Sequence, residues 1–592
     1  MVPDDLVVET CLDDQMAGDV STAILDSIHQ AGVRYVFGIP GDAINGLVDA
    51  IRRHDHVEFV NVRHEEAGAF AASAIAKLTG GLAVVAGTAG PGAIHLLNGL
   101  YDAKLDGAAV LAITGQVETP LIGIRSHQEI DLEALFDDVA VFSETIVDPS
   151  QVPRIVHMAI REAVSRRGVS HLVMPAEMAL KEVGEWQDNL LLPKPPDIVP
   201  DEDAIASAVA LLDGIEAVTL LVGIGAIGAV PQVLELADRI NAPIVKTLRA
   251  KELIADDHPL VIGGLGLLGT EPAVAAMERT DLLFMIGTDF PYMDFYPEGA
   301  RCIQLDIDPT HIARRNPVDV ALVGDAASTL SALVPKLSNA EDTSHLEKAR
   351  SDMEHWLEAI GKAETDDSVP IRPQRLARSV GEHSPPGTIF TCDTGAVTAW
   401  AARHLRMKQG DRFVLSSSLA SMGFAVPAAI GAQLTYPDRR VVALVGDGGF
   451  MMLLGDLRTA VTLELPITIV VFNNSRLGLI QMEQESEGLP DYATALDNPD
   501  FAEVAEAMGA RGWRVNDVSE LDDALEEAMR HPRPSVVDVV VNSEEIIMPP
   551  RIEPRMVFGY AKAKLREIVG GQAEGMSGVR STVRQVVEHL RS

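Results

Sequence analysis

The stretch GDGGFMMLLGDLRTAVTLELPITIVVFNN, residues 446–474, carries the strongest signal in this chain. A carboxylate, Asp447, follows one apolar strand, and a side-chain amide, Asn474, follows the next. Oxygen ligands at neighbouring strand ends suit Mg²⁺, which usually keeps part of its shell for phosphate oxygens. The glycines on either side of Asp447, Gly446 and Gly448, let the backbone come close to such phosphates. The stretch therefore predicts an enzyme that holds a diphosphate through a metal ion.

The composition is that of a globular protein with a strongly acidic surface. The 592 residues are enough for three domains with separate cores. A formal net charge of −38 disfavours a nucleic-acid partner, because the phosphate backbone would be repelled. Only 12 of the 48 basic residues are Lys. This Lys-poor, acidic balance predicts a halophilic protein, whose self-repulsion is screened by salt; an ordinary acidic protein is the alternative.

Cysteine usage and the N-terminus predict a cytoplasmic location. Cys11, Cys302 and Cys392 lie far apart, so neither a disulfide framework nor a zinc motif is expected. The acidic start lacks the basic region of a signal peptide. The sequence also contains no apolar run of about 18 residues that would span a membrane.

Strand-like and helix-like segments alternate in three stretches, which predicts an α/β fold of three doubly wound parallel-sheet domains and a C-terminal tail. The strands identified by pattern are residues 34–40, 56–62, 82–87, 108–114, 170–176, 217–223, 242–248, 281–287, 301–307, 388–393, 441–447, 467–474 and 535–541. The predicted bounds are 17–190, 201–340, 371–545 and, for the tail, 546–592. Such folds bind ligands at the carboxyl ends of their strands.

In the first domain, Glu65 follows an apolar strand and opens a helix. An isolated Glu at a helix start usually interacts only with the helix dipole and water, but the strand-end position makes Glu65 a functional candidate. The turn GTAGPG, residues 87–92, allows close approach by a ligand or is a plain β-to-α turn. His95, taken alone, is predicted to be a packed core histidine.

In the central domain, GIGAIG at residues 223–228 matches the dinucleotide pattern GxGxxG. The following strand ends in Lys246-Thr247 rather than in the acidic residue that NAD binding requires. Other glycine-rich strand ends, with Asp306 as a partner for ribose hydroxyls, favour an adenine nucleotide instead.

Together these segments resemble the thiamin-diphosphate enzymes of the pyruvate oxidase and acetohydroxyacid synthase group. The stretch 446–474 resembles the group's cofactor motif, and RHEEAGAFAA at residues 63–72 resembles its activating-glutamate segment. The resemblance covers nearly the whole chain. It is nearest to the pyruvate oxidases and quinone-linked pyruvate dehydrogenases, on the segments 95–104, 242–252, 286–300, 304–312 and 445–457.

The resemblance implies a role for each matching residue. Glu65 would bond the pyrimidine nitrogen of the cofactor, with His127 and Gln128 as further catalytic residues. Asp447, Asn474 and the backbone carbonyl of Arg476 would hold Mg²⁺. Met422 would enforce the bent shape of the cofactor. The implied thiamin diphosphate contacts are Glu65, Ala420, Ser421, Met422, Asp447, Gly448, Gly449, Asn474, Ser475, Arg476, Leu477, Gly478, Leu479 and Ile480.

A second cofactor, FAD, is implied in the central domain. Its implied contacts are Gly264, Gly266, Leu267, Gly287, Thr288, Asp289, Phe290, Pro291 and Asp306. In this family the glutamate and the metal motif of one site come from different subunits. The resemblance therefore implies a homodimer as the minimum unit and a homotetramer as the usual one.

The implied reaction is oxidative decarboxylation of a 2-oxo acid to CO₂ and either acetate or acetyl phosphate. Pyruvate is the substrate that the resemblance favours most. Electrons would pass through FAD to a quinone or another acceptor. Two departures weaken the assignment of pyruvate: His127 stands where relatives usually have Phe, and Leu479 stands where oxidising relatives usually carry an aromatic residue. They keep a second interpretation open, a non-oxidative carboligase of the acetolactate synthase type with structural FAD. A third, a catalytically silent nucleotide-binding protein, is disfavoured by the intact Glu65, Asp447 and Asn474.

The tail contains one further pattern. GVRSTVRQVVEHLRS, residues 578–592, predicts a basic amphipathic helix in a very acidic chain. Such a helix is a candidate for peripheral contact with the inner face of the cell membrane. A helix packed on its own subunit is the alternative.

Overall fold

The computed structural model describes residues 18–184, 190–192, 196–551, 559–560, 562–563 and 566. The chain divides into two compact units, Met1–Pro195 and Pro196–Ser592. The amphipathic helix predicted for residues 578–592 lies outside the described residues.

The first unit is built on a six-stranded parallel sheet with the order β2-β1-β3-β4-β6-β5. The strands are β1 Tyr35–Gly38, β2 Glu58–Asn61, β3 Ala83–Gly87, β4 Val110–Gln116, β5 Ala140–Thr145 and β6 Val169–Pro175. The helices are α1 Val20–Gln30, α2 Asn45–Arg53, α3 Glu65–Thr79, α4 Pro91–His95, α5 Leu97–Leu105, α6 Leu132–Phe136 and α7 Val152–Arg166.

The second unit contains two such sheets, and the central one has the order β12-β11-β10-β7-β8-β9. Its strands are β7 Val218–Val222, β8 Ile244–Lys246, β9 Val261–Gly264, β10 Leu282–Ile286, β11 Arg301–Asp306 and β12 Val320–Val323. Its helices are α8 Glu202–Leu212, α9 Val230–Arg239, α10 Glu271–Glu278 and α11 Ala326–Leu333, and they are followed by the long helix α12 Ser344–Glu364.

The third sheet has the order β14-β13-β15-β16-β18-β17. Its strands are β13 Ile389–Cys392, β14 Arg412–Leu415, β15 Val441–Gly446, β16 Ile467–Asn473, β17 Arg511–Val515 and β18 Ser535–Val540. Its helices are α13 Pro373–His383, α14 Ala396–His404, α15 Ala425–Thr435, α16 Asp447–Met452, α17 Leu457–Thr462, α18 Gly478–Ser486, α19 Phe501–Ala507 and α20 Leu521–Arg530.

The central strands can be recognised in the sequence by their apolar residues, because parallel sheets in α/β domains are covered by helices on both faces. Every residue of β4 and of β16 is buried, which matches their continuous apolar sequences. The prediction of three parallel α/β sheets is confirmed. Five strands escaped sequence detection, namely β5, β9, β12, β14 and β17, and all five lie at the edges of their sheets.

Helices α3 and α5 position the loops of the first sheet through very close packing. A methyl group added at Gly99 in α5 would lie 2.5 Å from Ala69 Cβ and 2.8 Å from the Phe70 nitrogen in α3. Neither neighbour is the end of a flexible side chain, so the helices would have to move apart. Within the described residues, no helix is long and apolar enough to cross a bilayer.

We expect Gly99→Ala to destabilise the first unit by about 1–3 kcal/mol, the usual cost of overpacking a core. The measurement is the Tm of thermal unfolding. Gly81→Ala is the matched control, because its added methyl group would meet nothing closer than Thr79 Oγ1 at 3.5 Å. Equal Tm values for the two variants would contradict the close packing of α3 and α5.

Candidate functional site

The sheet register places the residues of the 446–474 stretch at one edge. Strands β15 and β16 are parallel neighbours, and Gly446 lies opposite Phe472. Asp447 therefore begins α16 at the same carboxyl edge at which Asn473 ends β16 and Asn474 follows it. Asp447 and Asn474 therefore lie at the ends of neighbouring strands, and their joint role as metal ligands stays a prediction.

Asp447 is a buried carboxylate that accepts hydrogen bonds from neutral groups. Its Oδ2 accepts a hydrogen bond from Asn498 Nδ2 at 2.7 Å, and its Oδ1 accepts one from the Gly448 N–H at 2.9 Å. Burial raises the pKa of Asp447 to about 6 in spite of these bonds. Among the described residues, no side-chain cation pairs with Asp447. The ionised form therefore lacks the positive charge that a bound metal ion would supply.

Asn498 is a site residue that the sequence did not indicate. Its side-chain amide bridges the two strand ends, donating to Asp447 Oδ2 and, at 3.1 Å, to Asn473 Oδ1. The buried Asn473 in turn donates to Asp538 Oδ1 at 2.9 Å. Asn498 lies in a loop without a strand, helix or glycine motif, so no local sequence signal could have identified it.

The turn after β16 presents Asn474 and Arg476. Ser475 has a φ of +53°, and Asn474 Oδ1 accepts the Arg476 N–H at 3.1 Å. The turn is fixed from the other side, because the Leu477 N–H donates to the Thr494 carbonyl at 2.9 Å. A methyl group at Gly478 would lie 2.9 Å from Asn474 Nδ2, which explains a glycine at the start of α18.

A second buried acid, Asp393, lies at the end of β13. Its Oδ1 accepts the Phe424 N–H at 3.0 Å, whereas its Oδ2 is buried without a hydrogen-bond partner. Burial raises the pKa of Asp393 to about 7. A methyl group at Gly449 would lie only 1.9 Å from Asp393 Oδ2, so a glycine is required there. The strand end TIFTCD offered a signal for Asp393 that the sequence analysis did not use.

Three of the predicted cofactor contacts converge beside Gly448. A methyl group at Gly448 would lie 3.0 Å from Leu477 Cδ2 and 3.3 Å from Met422 Cε. Met422 is half-buried, and the loop before it contains Ala420 at a φ of +57°. The remaining predicted contacts differ in exposure: Ser421 is half-buried, Leu479 packs against the core of the third sheet, and Ile480 is exposed.

Glu65 begins α3 in the first unit, with His64 as the N-cap residue. Its carboxylate is buried, and Oε2 lies 2.9 Å from His95 Nδ1. The His64 and His95 rings stack with their centroids 4.4 Å apart. The prediction that His95 is a packed core histidine is therefore wrong: its side chain is 42% exposed and pairs with Glu65. Sequence alone could not reveal this contact, because it joins the first residue of α3 and the last residue of α4, which follow different strands.

The glycine turn of residues 87–92 connects Glu65 with the other catalytic candidates. A methyl group at Gly92 would lie 3.3 Å from Glu65 Oε1, and one at Gly90 would lie 3.1 Å from the Gln128 carbonyl. Gln128 is half-buried with a φ of +64°. His127 is exposed. The unit thus brings Glu65 and Gln128 to the same turn.

In the central sheet, the predicted nucleotide contacts lie at or just after strand ends. Gly264 ends β9, Gly266 and Leu267 follow it, residues 287–291 follow β10, and Asp306 ends β11. Two of these loops meet, since a methyl group at Gly266 would lie 3.4 Å from Phe290 Cζ. Asp306 is buried, and its Oδ1 accepts the Asp308 N–H at 2.9 Å.

The residues at the carboxyl edge of the third sheet fit a magnesium-bound diphosphate. Asp447 and Asn474 offer oxygen atoms, the ligand type that Mg²⁺ prefers. The buried Asp447 lacks a cationic partner among the described residues, and Asp393 Oδ2 has no hydrogen-bond partner. Gly448, Gly449 and Gly478 let neighbouring side chains of this edge pack closely against their backbone. The donor set thus agrees with the prediction from the 446–474 stretch.

Comparison with known proteins identifies three matching family models. They describe the thiamine pyrophosphate enzyme N-terminal TPP binding domain at residues 18–135, the central domain at 205–333 and the C-terminal TPP binding domain at 393–539. TPP is thiamin diphosphate under another name.

Three relatives cover most of the chain. YdaP of Bacillus subtilis, named as a thiamine pyrophosphate-containing protein, is 40% identical over 96% of this chain and 99% of its own length. A pyruvate oxidase of Lactiplantibacillus plantarum is 32% identical over 88% of each chain. An acetolactate synthase large subunit of Parasynechococcus marenigrum is 33% identical over 89% of this chain and 88% of its own.

The raised pKa of Asp447 predicts a pH dependence of metal binding. Mg²⁺ binds the ionised carboxylate, so protonation competes with the metal as the pH falls through about 6. We expect Mg²⁺ affinity, measured by calorimetry with thiamin diphosphate present, to fall about tenfold per pH unit below that value. Asp447→Asn should bind Mg²⁺ weakly at every pH.

Asp497→Asn is the control for this experiment, because it removes the same charge from an exposed neighbour of Asn498. This variant should retain the Mg²⁺ affinity of the wild-type chain and the pH midpoint at which that affinity falls. A wild-type affinity that stays constant from pH 8 to pH 5 would contradict the assignment of Asp447 as a ligand.

Asn498→Ala should weaken Mg²⁺ binding about 10–100-fold, the usual effect of losing a group that orients a metal ligand. It should also move the pH midpoint upward, because the lost hydrogen bond favours the ionised form of Asp447. A purely structural role of Asn498 would lower Tm without moving that midpoint.

Proposed function

Because the chain belongs to the thiamine pyrophosphate enzyme family, we propose that it decarboxylates a 2-oxo acid oxidatively with thiamin diphosphate, Mg²⁺ and FAD. Pyruvate is the first candidate substrate. The products would be CO₂ and either acetate or acetyl phosphate, and a quinone or another acceptor would receive the electrons. The observation that carries the proposal is a pair of buried carboxylates just after strand ends, Glu65 in the first unit and Asp447 in the second. The relative named pyruvate oxidase supports the oxidative reaction.

The bound cofactors would supply the reactive chemistry: thiamin diphosphate stabilises the negative charge left when CO₂ departs, and FAD takes up electrons. The chain supplies acid–base and binding groups. Glu65 is positioned to hold or release a proton at Oε1 or Oε2, and its burial keeps water from competing for these atoms. His95, which touches Glu65 and also reaches solvent, connects the carboxyl group with bulk water.

The substrate pocket is proposed to lie near Gln128 and His127. The positive φ of Gln128 is an unusual backbone conformation for a residue other than glycine, a kind that is concentrated at functional sites. His127 is exposed and would pair, when protonated, with the carboxylate of a 2-oxo acid. Leu479 offers an aliphatic surface in place of an aromatic ring, which suits a substrate side chain different from that of pyruvate.

FAD binding in the central domain is supported by the shape of its loops. Gly266 and Gly287 have positive φ values, +108° and +62°, and a methyl group at Gly287 would lie 2.5 Å from the Gly225 carbonyl carbon, so the loop after β10 packs closely on the loop after β7. Arg403 fixes the first loop by donating to the carbonyls of Leu267 at 3.1 Å and Gly269 at 2.9 Å. Asp306 is placed to accept from ribose hydroxyls.

The active assembly is proposed to be a homodimer or a homotetramer in the cytoplasm, with Glu65 of one subunit serving the metal site of another. The proposal follows from the family resemblance, which assigns the two halves of a site to different chains. The acidic composition, with a net charge of −38, agrees with a halophilic protein and with small-molecule rather than nucleic-acid partners.

A second candidate function is a non-oxidative carboligase of the acetolactate synthase type. The relative named acetolactate synthase is as similar to this chain as the relative named pyruvate oxidase. The substituted pocket keeps this candidate open, because Leu479 stands where oxidising relatives usually carry an aromatic residue. In that case FAD would be structural and would keep its oxidised spectrum during turnover.

The test is anaerobic flavin reduction. Protein reconstituted with thiamin diphosphate, Mg²⁺ and FAD is mixed with pyruvate, 2-oxobutyrate or 2-oxoglutarate, and the yellow flavin absorption is followed. We expect bleaching with at least one 2-oxo acid, because oxidative decarboxylation delivers electrons to the flavin. Acetolactate formation with an oxidised flavin would instead establish the carboligase.

The variant Glu65→Gln tests the role of Glu65 in the same flavin-reduction experiment. We expect it to retain cofactor affinity and to lower the rate of bleaching by a factor of about 10²–10⁴, the usual contribution of a positioned acid–base group. Glu66→Gln is the matched control, since its side chain bonds Asn98 rather than His95. Equal rates in the two variants would overturn the role of Glu65.

A further inference from the structure

A second kind of metal site lies around Glu65. His64, Glu65 and His95 each bring one ligand atom within 4.8 Å of the others. Glu65 Oε2 and His95 Nδ1 are 2.9 Å apart, and the His64 ring stacks on that of His95. We propose that this cluster binds a divalent transition-metal ion such as Zn²⁺ and that the bound ion inhibits the enzyme.

The donor set selects the class of metal. Two imidazoles and one carboxylate suit Zn²⁺, Co²⁺, Ni²⁺ and Cu²⁺, whereas Mg²⁺ prefers oxygen ligands alone. Three protein ligands with an open position are typical of reactive zinc sites. The chain thus offers two distinct metal sites, an oxygen site at Asp447 and a mixed nitrogen and oxygen site at Glu65.

The distances agree with a single shared ion. Two ligand atoms bound to one tetrahedral zinc lie about 3.3 Å apart, because each bond is about 2 Å long and the angle between the bonds is about 109°. The Glu65 Oε2 and His95 Nδ1 atoms, 2.9 Å apart, would have to separate by only about 0.4 Å. Binding would therefore replace a hydrogen bond by two metal bonds with little movement of either side chain.

His64 distinguishes a metal site from a simple hydrogen bond. A bond between His95 and Glu65 requires no third group, yet the His64 ring lies against that of His95. His64 Nδ1 accepts the Glu66 N–H at 3.2 Å, which leaves Nε2 for an ion. Both histidine side chains are exposed, at 39% and 42%, while Glu65 is buried beneath them. An ion from solvent would meet the imidazoles first.

Inhibition follows from what the ion would occupy, and this step rests on the proposed function of Glu65. A metal bound to the carboxylate takes the lone pairs with which Glu65 would bond the cofactor. Inhibition by Zn²⁺ should therefore be competitive with thiamin diphosphate, and a chelator should reverse it. This relation makes catalysis sensitive to free transition metals through the same carboxylate that activates the cofactor.

The binding test uses the full chain stripped of metal, with excess Mg²⁺ present to fill the oxygen site. Co²⁺ is titrated and followed by calorimetry and by its visible absorption. We expect one ion per chain, with affinity at least about tenfold lower in His64→Ala and in His95→Ala. The absorption should be that of a site with nitrogen ligands.

His56→Ala is the matched control. His56 belongs to a separate histidine group, with ring centroids 4.7 Å from His29 and 6.0 Å from His54, at the edge where the strands begin. It should bind Co²⁺ as the wild-type chain does. Binding that survives both His64→Ala and His95→Ala, or that disappears in His56→Ala, would overturn the proposal.

The inhibition test distinguishes the proposed metal site from the proposed catalytic role of Glu65. Zn²⁺ inhibition is measured for each variant relative to its own metal-free rate, and His64→Ala should need at least about tenfold more Zn²⁺ for half inhibition. Co²⁺ binding at His64 and His95 without inhibition would support the metal site and contradict the role of Glu65. Active enzyme that does not bind Co²⁺ would overturn the metal site and leave the proposed function intact.

Discussion

The buried carboxylate of Asp447 is the constraint on which the candidate site depends. Taking a carboxylate out of water is costly unless hydrogen bonds or an opposite charge replace the lost hydration. Here the hydrogen bonds come from neutral donors, and the pKa stays raised at about 6. The metal-free site is thus incompletely compensated, which is the condition under which a divalent cation gains most from binding. Asn498, Asn473 and Asp538 extend this arrangement into the sheet as one connected network.

The parallel topology explains why such a network forms where it does. All strands of a parallel sheet end at the same edge, so residues distant in sequence, such as Asp393, Asp447 and Asn474, meet there without any special loop. Close approach then requires glycines, and Gly449 is the clearest case because its neighbour is Asp393 Oδ2. The same logic places Glu65 after β2 in the first unit.

The sequence predicted the buried strands and the strand-end acids Glu65 and Asp447. It did not predict Asp393, most of the edge strands or the tertiary contacts of the site. Central strands such as β16 are buried on both faces and have continuous apolar sequences. Edge strands such as β5, AVFSET, and β17, RGWRV, are mostly half-exposed, so polar residues interrupt the pattern. Asn498 and His95 were missed for another reason: their roles come from tertiary contacts, which leave no periodicity or motif in the sequence.

Charge alone does not explain metal selectivity in a chain as acidic as this one. A net charge of −38 attracts cations of every kind, and salt screens the attraction at exposed carboxylates. Screening reaches buried groups much less, so Asp447 retains its interaction in a salt-rich solvent. The ligand types then decide between metals: oxygen atoms around Asp447 favour Mg²⁺, whereas the imidazoles of His64 and His95 favour softer ions. Burial would therefore preserve the affinity of the proposed Asp447 site at high salt, and donor chemistry would set which ion each proposed site selects.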